Sequence, residues 1–256
     1  MSLSVQKSSR LTSDREMSSQ QTILLQVQNL VSGYGKKQVL GGVSLDVGVA
    51  EVVALIGHNG AGKSTLLKAI CGLIPIWEGI VRLGGKVIEA PSPRVLLRQG
   101  VAYVPQGNRV FSDLTVKENL EIACVMLARR NEIDDAIGRT LDWFPLLRDL
   151  LKRRAGTLSG GEKQMLALGN GLMTMPKLLL LDEPSLGLAP PLVSGVLQRI
   201  KTISQEKGIT FLIVEQKVRE VLNIANRVYV LRCGSVSFTG PSSDLQDDIK
   251  LRDVYL

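Results

Sequence analysis

The stretch "EVVALIGHNGAGKSTLLKAICGL" (Glu51 to Leu73) holds an apolar run, a glycine-rich turn and a helically spaced segment, in that order. Gly57, His58, Asn59, Gly60, Ala61, Gly62, Lys63 and Ser64 fit the pattern G-x-x-x-x-G-K-[ST], and Thr65 follows at once. The apolar run predicts a buried strand, and the segment after Ser64 predicts a helix. Glycines in such a turn let backbone N–H groups face inward around β- and γ-phosphates, at the positive end of the helix. Lys63 then reaches the terminal phosphates, and the Ser64 hydroxyl ligates Mg²⁺. A chance glycine-rich turn with a lysine would not require strand, loop and helix in this order.

Further along, "LLLLDEP" (178 to 184) predicts a buried strand that delivers Asp182 and Glu183 at its C-terminal end. That is where open α/β sheets place their ligands. Asp182 can hold Mg²⁺ through water, and Glu183 can orient an attacking water and accept its proton. Around these landmarks the pattern alternates. "ILLQVQNLV", "VSLDVG" and "VAYV" read as strands, and "GIVRLGGKVIE" as a hairpin turning on Gly84-Gly85. Residues 115 to 174 are almost wholly helix-like. After them come "KLLLLDEP", "PLVSGVLQRIKTISQEKG", "ITFLIVEQ", "VREVLNIAN" and "RVYVLRCGSVSFTG". Such alternation implies a parallel sheet with helices on both faces and a helical subdomain inserted into it.

Between the two motifs lies "TLSGGEKQML" (157 to 166). Ser159 and Glu162 form S-x-x-E, a capping box that starts a helix. Gly160 and Gly161 exceed what a cap needs, since glycine costs about 1 kcal/mol in a helix. They permit close backbone approach to an anion at the helix's positive end.

Composition narrows the class. Lys+Arg 31 against Asp+Glu 24 gives a net charge of +7, spread without long basic runs; "ARR" (128 to 130) and "KRR" (152 to 154) are the densest and read as exposed helix ends. With 4% aromatic residues, a surface for stacking single-stranded nucleic acid is not expected. Cys71, Cys124 and Cys233 lie far apart, form no zinc pattern, and read as buried small hydrophobes in a reducing compartment. No apolar run approaches the roughly 20 residues of a spanning helix. Residues 1 to 22 are serine-rich, lack the apolar centre of a secretory signal, and read as a disordered leader.

"GHNGAGKST", "LSGGEKQ" and "LLLLDEP", in that order, resemble the nucleotide-binding subunit of an ATP-binding cassette (ABC) transporter over about residues 23 to 256. The resemblance implies a P-loop NTPase fold: a parallel-sheet core, an N-terminal antiparallel β subdomain and a helical subdomain over about 107 to 172. It implies ATP and Mg²⁺ as cofactors. It also implies that Leu158, Ser159, Gly160, Gly161 and Glu162 form a signature loop contacting the ATP held by a second ATPase subunit. Tyr34 matches the aromatic residue that stacks on adenine. Gln106 matches the glutamine that ligates Mg²⁺ and senses the membrane subunit. Trp143 and Phe144, within the docking subdomain, read as core. The partners so implied are a second ABC ATPase, two integral membrane permease subunits and, indirectly, an extracytoplasmic solute-binding protein, with no nucleic acid. The chain would be peripheral on the cytoplasmic face of the plasma membrane.

Two departures from the family pattern stand out. Gln216, in "FLIVEQ", occupies the place of the usual switch histidine; its amide can donate to a γ-phosphate but cannot shuttle a proton. Glu183 would then carry the proton chemistry. Ala189, in "SLGLAP", stands where the family usually has an aspartate, so that contact across the dimer is not expected from this chain. His58, the one histidine, sits at a variable position of the loop and reads as a bystander. These features, with "RAGTLSGGEKQMLALG", resemble the LivF-type ATPase of branched-chain or neutral amino-acid importers. The ATPase of urea or amide importers is closely similar. A soluble ABC ATPase of cofactor assembly has compatible length. A chromosome-type member would need a coiled coil between the motifs, and only roughly a hundred residues without heptads lie there.

Overall fold

The structure, a computed structural model, describes residues 22–124 and 130–255. Residues 1–21 of the serine-rich leader and most of "ARR" lie outside the described residues. Two long strands, β1 (Ile23–Tyr34) and β2 (Lys37–Gly48), form an antiparallel hairpin. Next come β3 (Val52–Ile56), α1 (Lys63–Ile70), β4 (Ile76–Leu83), β5 (Lys86–Val87), α2 (Pro93–Arg98) and β6 (Val101–Val104). The helical region holds α3 (Val116–Cys124), α4 (Arg130–Trp143) and α5 (Gly160–Leu172). The remainder alternates: β7 (Leu178–Asp182), α6 (Pro190–Lys207), β8 (Thr210–Val214), α7 (Val218–Leu222), β9 (Arg227–Arg232), β10 (Ser235–Pro241) and α8 (Asp248–Tyr255).

Among the described residues, one sheet runs in the order β10-β9-β3-β8-β7-β6 and the other in the order β2-β1-β4-β5. In the first sheet β3 pairs in parallel with β8 and β9, and β7 with β6 and β8. The strands β3, β7 and β8 are buried throughout, so their apolar runs are continuous rather than alternating. Period-2 geometry still divides them between two cores. Val52, Ala54, Ile56, Leu179, Leu181, Phe211 and Ile213 pack with the helical region. Val53, Leu55, Leu178, Leu180, Leu212 and Val214 pack with α1 and the antiparallel sheet. Trp143 and Phe144 are buried in the first core, as their sequence reading expects.

The structure differs from the sequence reading in four places. The helix-like run from 115 to 174 is interrupted, because Phe144 precedes Pro145 and 3₁₀ segments occupy Pro145–Leu150 and Ala155–Thr157. Lys152, Arg153 and Arg154 sit exposed in that interruption rather than at a helix end. "RVYVLRCGSVSFTG" is a hairpin, β9 to β10, turning on Cys233 at φ 47° and Gly234 at φ 78°. Cys233 is therefore exposed, and only Cys71 and Cys124 are buried; burial pushes the Cys71 thiol up to about 12.

An ionic cluster joins the two sheets. Glu51 is buried, and its carboxylate accepts from Arg227 Nε at 2.8 Å and from the Gly48 N–H at 2.6 Å. Arg227 also bonds Asp46 at 2.8 Å and lies 5.4 Å from the Tyr229 ring centroid. Removing one member leaves a buried charge unpaired, which costs about 3 kcal/mol or more. Arg227→Met is accordingly expected to lower unfolding stability by about 3 kcal/mol, read from urea midpoints at constant m.

Candidate functional site

Parallel topology brings the C-terminal ends of β3, β8, β7 and β6 together, and each end contributes one part of the site. The turn after β3 holds Gly60 at φ 80° and Gly62 at φ 107°, conformations that a side chain resists. A Cβ at Gly62 would strike Leu40, and one at Gly57 would strike the Leu231 carbonyl, so the turn is wedged between β2 and β9. Gly62 caps α1, whose first turn carries no acidic residue. The positive end of that helix is thus left for an anion. Buried Lys63 donates from Nζ to the Gly57 carbonyl at 2.7 Å and the His58 carbonyl at 3.0 Å. Desolvation lowers its pKa, opposed by the charges of Glu183 and Asp182.

The acids follow from β7. Asp182 accepts from Ser64 Oγ at 2.8 Å and from the Tyr103 hydroxyl at 3.1 Å. Burial pushes its carboxyl up, against the lowering effect of those two bonds. Glu183 is held at φ 51°, a left-handed conformation costing a non-glycine residue about 1–3 kcal/mol. Its N–H donates to the Val214 carbonyl at 2.8 Å, which fixes the turn to β8. Its carboxylate accepts from Gln216 Nε2 at 2.6 Å and Gln106 Nε2 at 2.8 Å. Two amides, 77 and 33 positions away in the chain, therefore converge on one carboxylate.

Facing them is a cavity of about 540 Å³ lined by Tyr34, Asn59, Gly60, Lys63, Ser64 and Glu183, among others. The Tyr34 hydroxyl lies 3.5 Å from Thr65 Oγ1, and its ring is half-exposed, with Lys68 Nζ 6.0 Å from its centroid. Ala61 is buried in the loop. The His58 side chain turns away from the loop's interior: Nε2 lies 2.8 Å from the Tyr255 carbonyl, and the two rings are 4.6 Å apart. Cys233 lines the same cavity, a position its sequence reading did not assign.

The signature stretch lies at the start of α5. Ser159 Oγ accepts from Glu162 N–H at 3.3 Å, and Glu162 accepts from Ser159 N–H at 2.7 Å, so the capping box is formed. Those bonds lower the Glu162 pKa. Leu158 is buried beneath the turn. The two glycines differ. A Cβ at Gly160 would meet open space, whereas one at Gly161 would lie 2.9 Å from Leu192 of α6. Gly161 is small because α6 packs on it, and Gly160 leaves the helix start accessible. Ala189 caps α6 without a side-chain bond.

Strand, glycine turn, lysine and paired acids define a P-loop nucleotide-binding protein. The ABC transporter family model matches residues 40–186. The chain is 42% identical to the high-affinity branched-chain amino acid transport ATP-binding protein BraG of Pseudomonas aeruginosa, over 91% of this chain and 99% of that one. It is 40% identical to a probable branched-chain amino acid transport ATP-binding protein, LivF, of Archaeoglobus fulgidus, over 91% and 98%. A solved ATP-binding cassette of an ABC transporter in its ADP conformation superposes with a TM-score of 0.81 at 31% identity, covering 91% and 98%. The chain belongs to the ATP-binding proteins of ABC transporters. Nucleotide binding and ATP hydrolysis coupled to transport come with that family.

Proposed function

We propose that this chain is the ATPase subunit of an importer of branched-chain or neutral amino acids, peripheral on the cytoplasmic face of the membrane. The observation that carries the reading is the placement of Glu183: strained, buried, and gripped by one amide from β6's end and one from β8's. Gln106 and Gln216 hold the carboxylate where a water beside the γ-phosphate would give up its proton. The names of the relatives support the solute class. The path across the membrane is supplied by permease subunits, as membership of the ABC transporter family supports.

Ser64, Asp182 and Gln106 form a hard-oxygen set suited to Mg²⁺. When bound there, the ion would neutralise charge on the β- and γ-phosphates. Lys63 exchanges its two loop carbonyls for phosphate oxygens. Tyr34 stacks on the base. Residues 158–162 present the N–H groups of α5 to the nucleotide of a second ATPase subunit. A cleft of about 300 Å³ between α2, β6 and α5, with Leu97, Tyr103 and Asn170 in its walls, receives a segment of the permease. Asn170 Oδ1 is buried there without a hydrogen-bond partner among the described residues.

Gln216→His is expected to change turnover by no more than about fivefold, because both side chains can donate a hydrogen bond. The histidine should add an inflection near pH 6.5 to the turnover profile, which the amide cannot produce. The solute assignment is tested in vesicles holding the chain with its membrane subunits and solute-binding protein. ATP-driven uptake of labelled leucine supports it; uptake of urea alone would replace it with the amide-importer reading.

A further inference from the structure

One buried carboxylate joins the loop after β8 to the loop after β7. Glu215 is 1% exposed. Its Oε1 accepts from the Ser185 N–H at 2.8 Å, and its Oε2 from the Ser185 hydroxyl at 2.9 Å and the Gln216 N–H at 3.1 Å. The next residue, Lys217, donates from Nζ to the Leu188 carbonyl at 3.3 Å. Residues 185–188 are thus held at one end by Glu215 and at the other by Lys217, two positions further along the other loop. They lead directly into α6, whose Leu192 presses on Gly161.

Burying an acid is costly unless its charge is met by donors. Burial pushes the Glu215 carboxyl up, and bonds from Ser185, Gln216 and Lys217 oppose that rise. The donors come from two separate loops, so breaking the tie frees both. Along the chain of contacts, Glu183 meets Gln216, Gln216 meets Glu215, Glu215 meets Ser185, and α6 meets the start of α5.

We propose that Glu215 is a positioning residue that makes the Gln216 loop and residues 185–189 move as one body. A displacement of Gln216 at this chain's own nucleotide is thereby carried to Gly161 and to the loop facing the partner's nucleotide. The inference rests on the reading of residues 57–65 and 158–162 given above. It supplies a route between the two sites that does not need an aspartate at position 189.

Hydrogen–deuterium exchange on the full chain, with and without ATP and Mg²⁺, tests the tie through peptides covering 184–192 and 215–219. In the unsubstituted chain, ATP shifts exchange in both peptides. In Glu215→Gln an amide group faces N–H donors, and both peptides exchange about tenfold faster without nucleotide, while residues 178–181 keep their protection. ATP affinity stays within about twofold, and ATP shifts exchange in 215–219 but no longer in 184–192. Ser185→Ala, which removes one hydroxyl and keeps the N–H bond, gives the same uncoupling to a smaller degree and serves if Glu215→Gln does not fold. An ATP response persisting in 184–192 in the folded variants would overturn the proposal. Absence of ATP binding to the unsubstituted chain, with both peptides still accelerated together in Glu215→Gln, would instead overturn the reading of the phosphate loop and leave the tie purely structural.

Discussion

Glu183→Gln is expected to bind ATP as the unsubstituted chain does and to lose turnover by about 10²–10⁴-fold, the usual contribution of a positioned general base. The amide keeps the size of the carboxylate and cannot accept the proton. The backbone at φ 51° and the N–H bond to Val214 do not depend on the side chain's charge, so the fold should persist. Gln106 and Gln216 donate to different oxygens of Glu183, and in the amide one of those two positions becomes an NH2 group that cannot accept. Single-turnover hydrolysis with saturating ATP measures the effect directly. Turnover within about tenfold of the unsubstituted rate would remove Glu183 from the chemistry, because a lost general base costs more than that.

Lys63→Ala should weaken ATP binding on the order of a hundredfold, as expected for losing charge-assisted bonds to phosphate. The lysine is buried and carries its charge against desolvation, aided by Glu183 and Asp182. Without it, two acids face the incoming phosphates with no compensating cation in the loop. The Gly57 and His58 carbonyls that Lys63 now satisfies would turn to water, so the loss should fall on binding more than on stability. Equilibrium titration with ATP and a thermal melt of the same sample separate the two. Normal affinity would contradict the phosphate-loop assignment.

Much of the architecture was legible because the strands that position the site are continuous apolar runs ending in motif residues. "VVALI" ends at Gly57, "LLLLD" at Asp182, and "FLIV" just before Glu215 and Gln216. Linear motifs expose their own chemistry, since each side chain stands at a fixed offset from a strand end. Contacts between distant segments carry no such mark. Tyr103 bonds Asp182 across 79 positions, and His58 meets the Tyr255 carbonyl across 197. Gly161 read as a place for an anion, and its smallness serves Leu192 as well. Glu215 carries a signal of its own: it is an acid at the C-terminal end of a parallel strand, the placement that marks Asp182 and Glu183. Cys233 read as core because composition alone does not separate a hairpin turn from the strands beside it.

In the proposed arrangement ATP is held between the phosphate loop of one ATPase subunit and residues 158–162 of another. Size-exclusion chromatography with light scattering on Glu183→Gln, with and without saturating ATP, reads this from the mass. One chain is expected without nucleotide and two chains with it. Gly160→Asp in the same background, which puts a negative charge at the open start of α5, is expected to restore the single-chain mass while ATP remains bound. A single-chain mass with ATP bound to Glu183→Gln itself, or an ATP-induced dimer indifferent to Gly160→Asp, would contradict that arrangement for this chain.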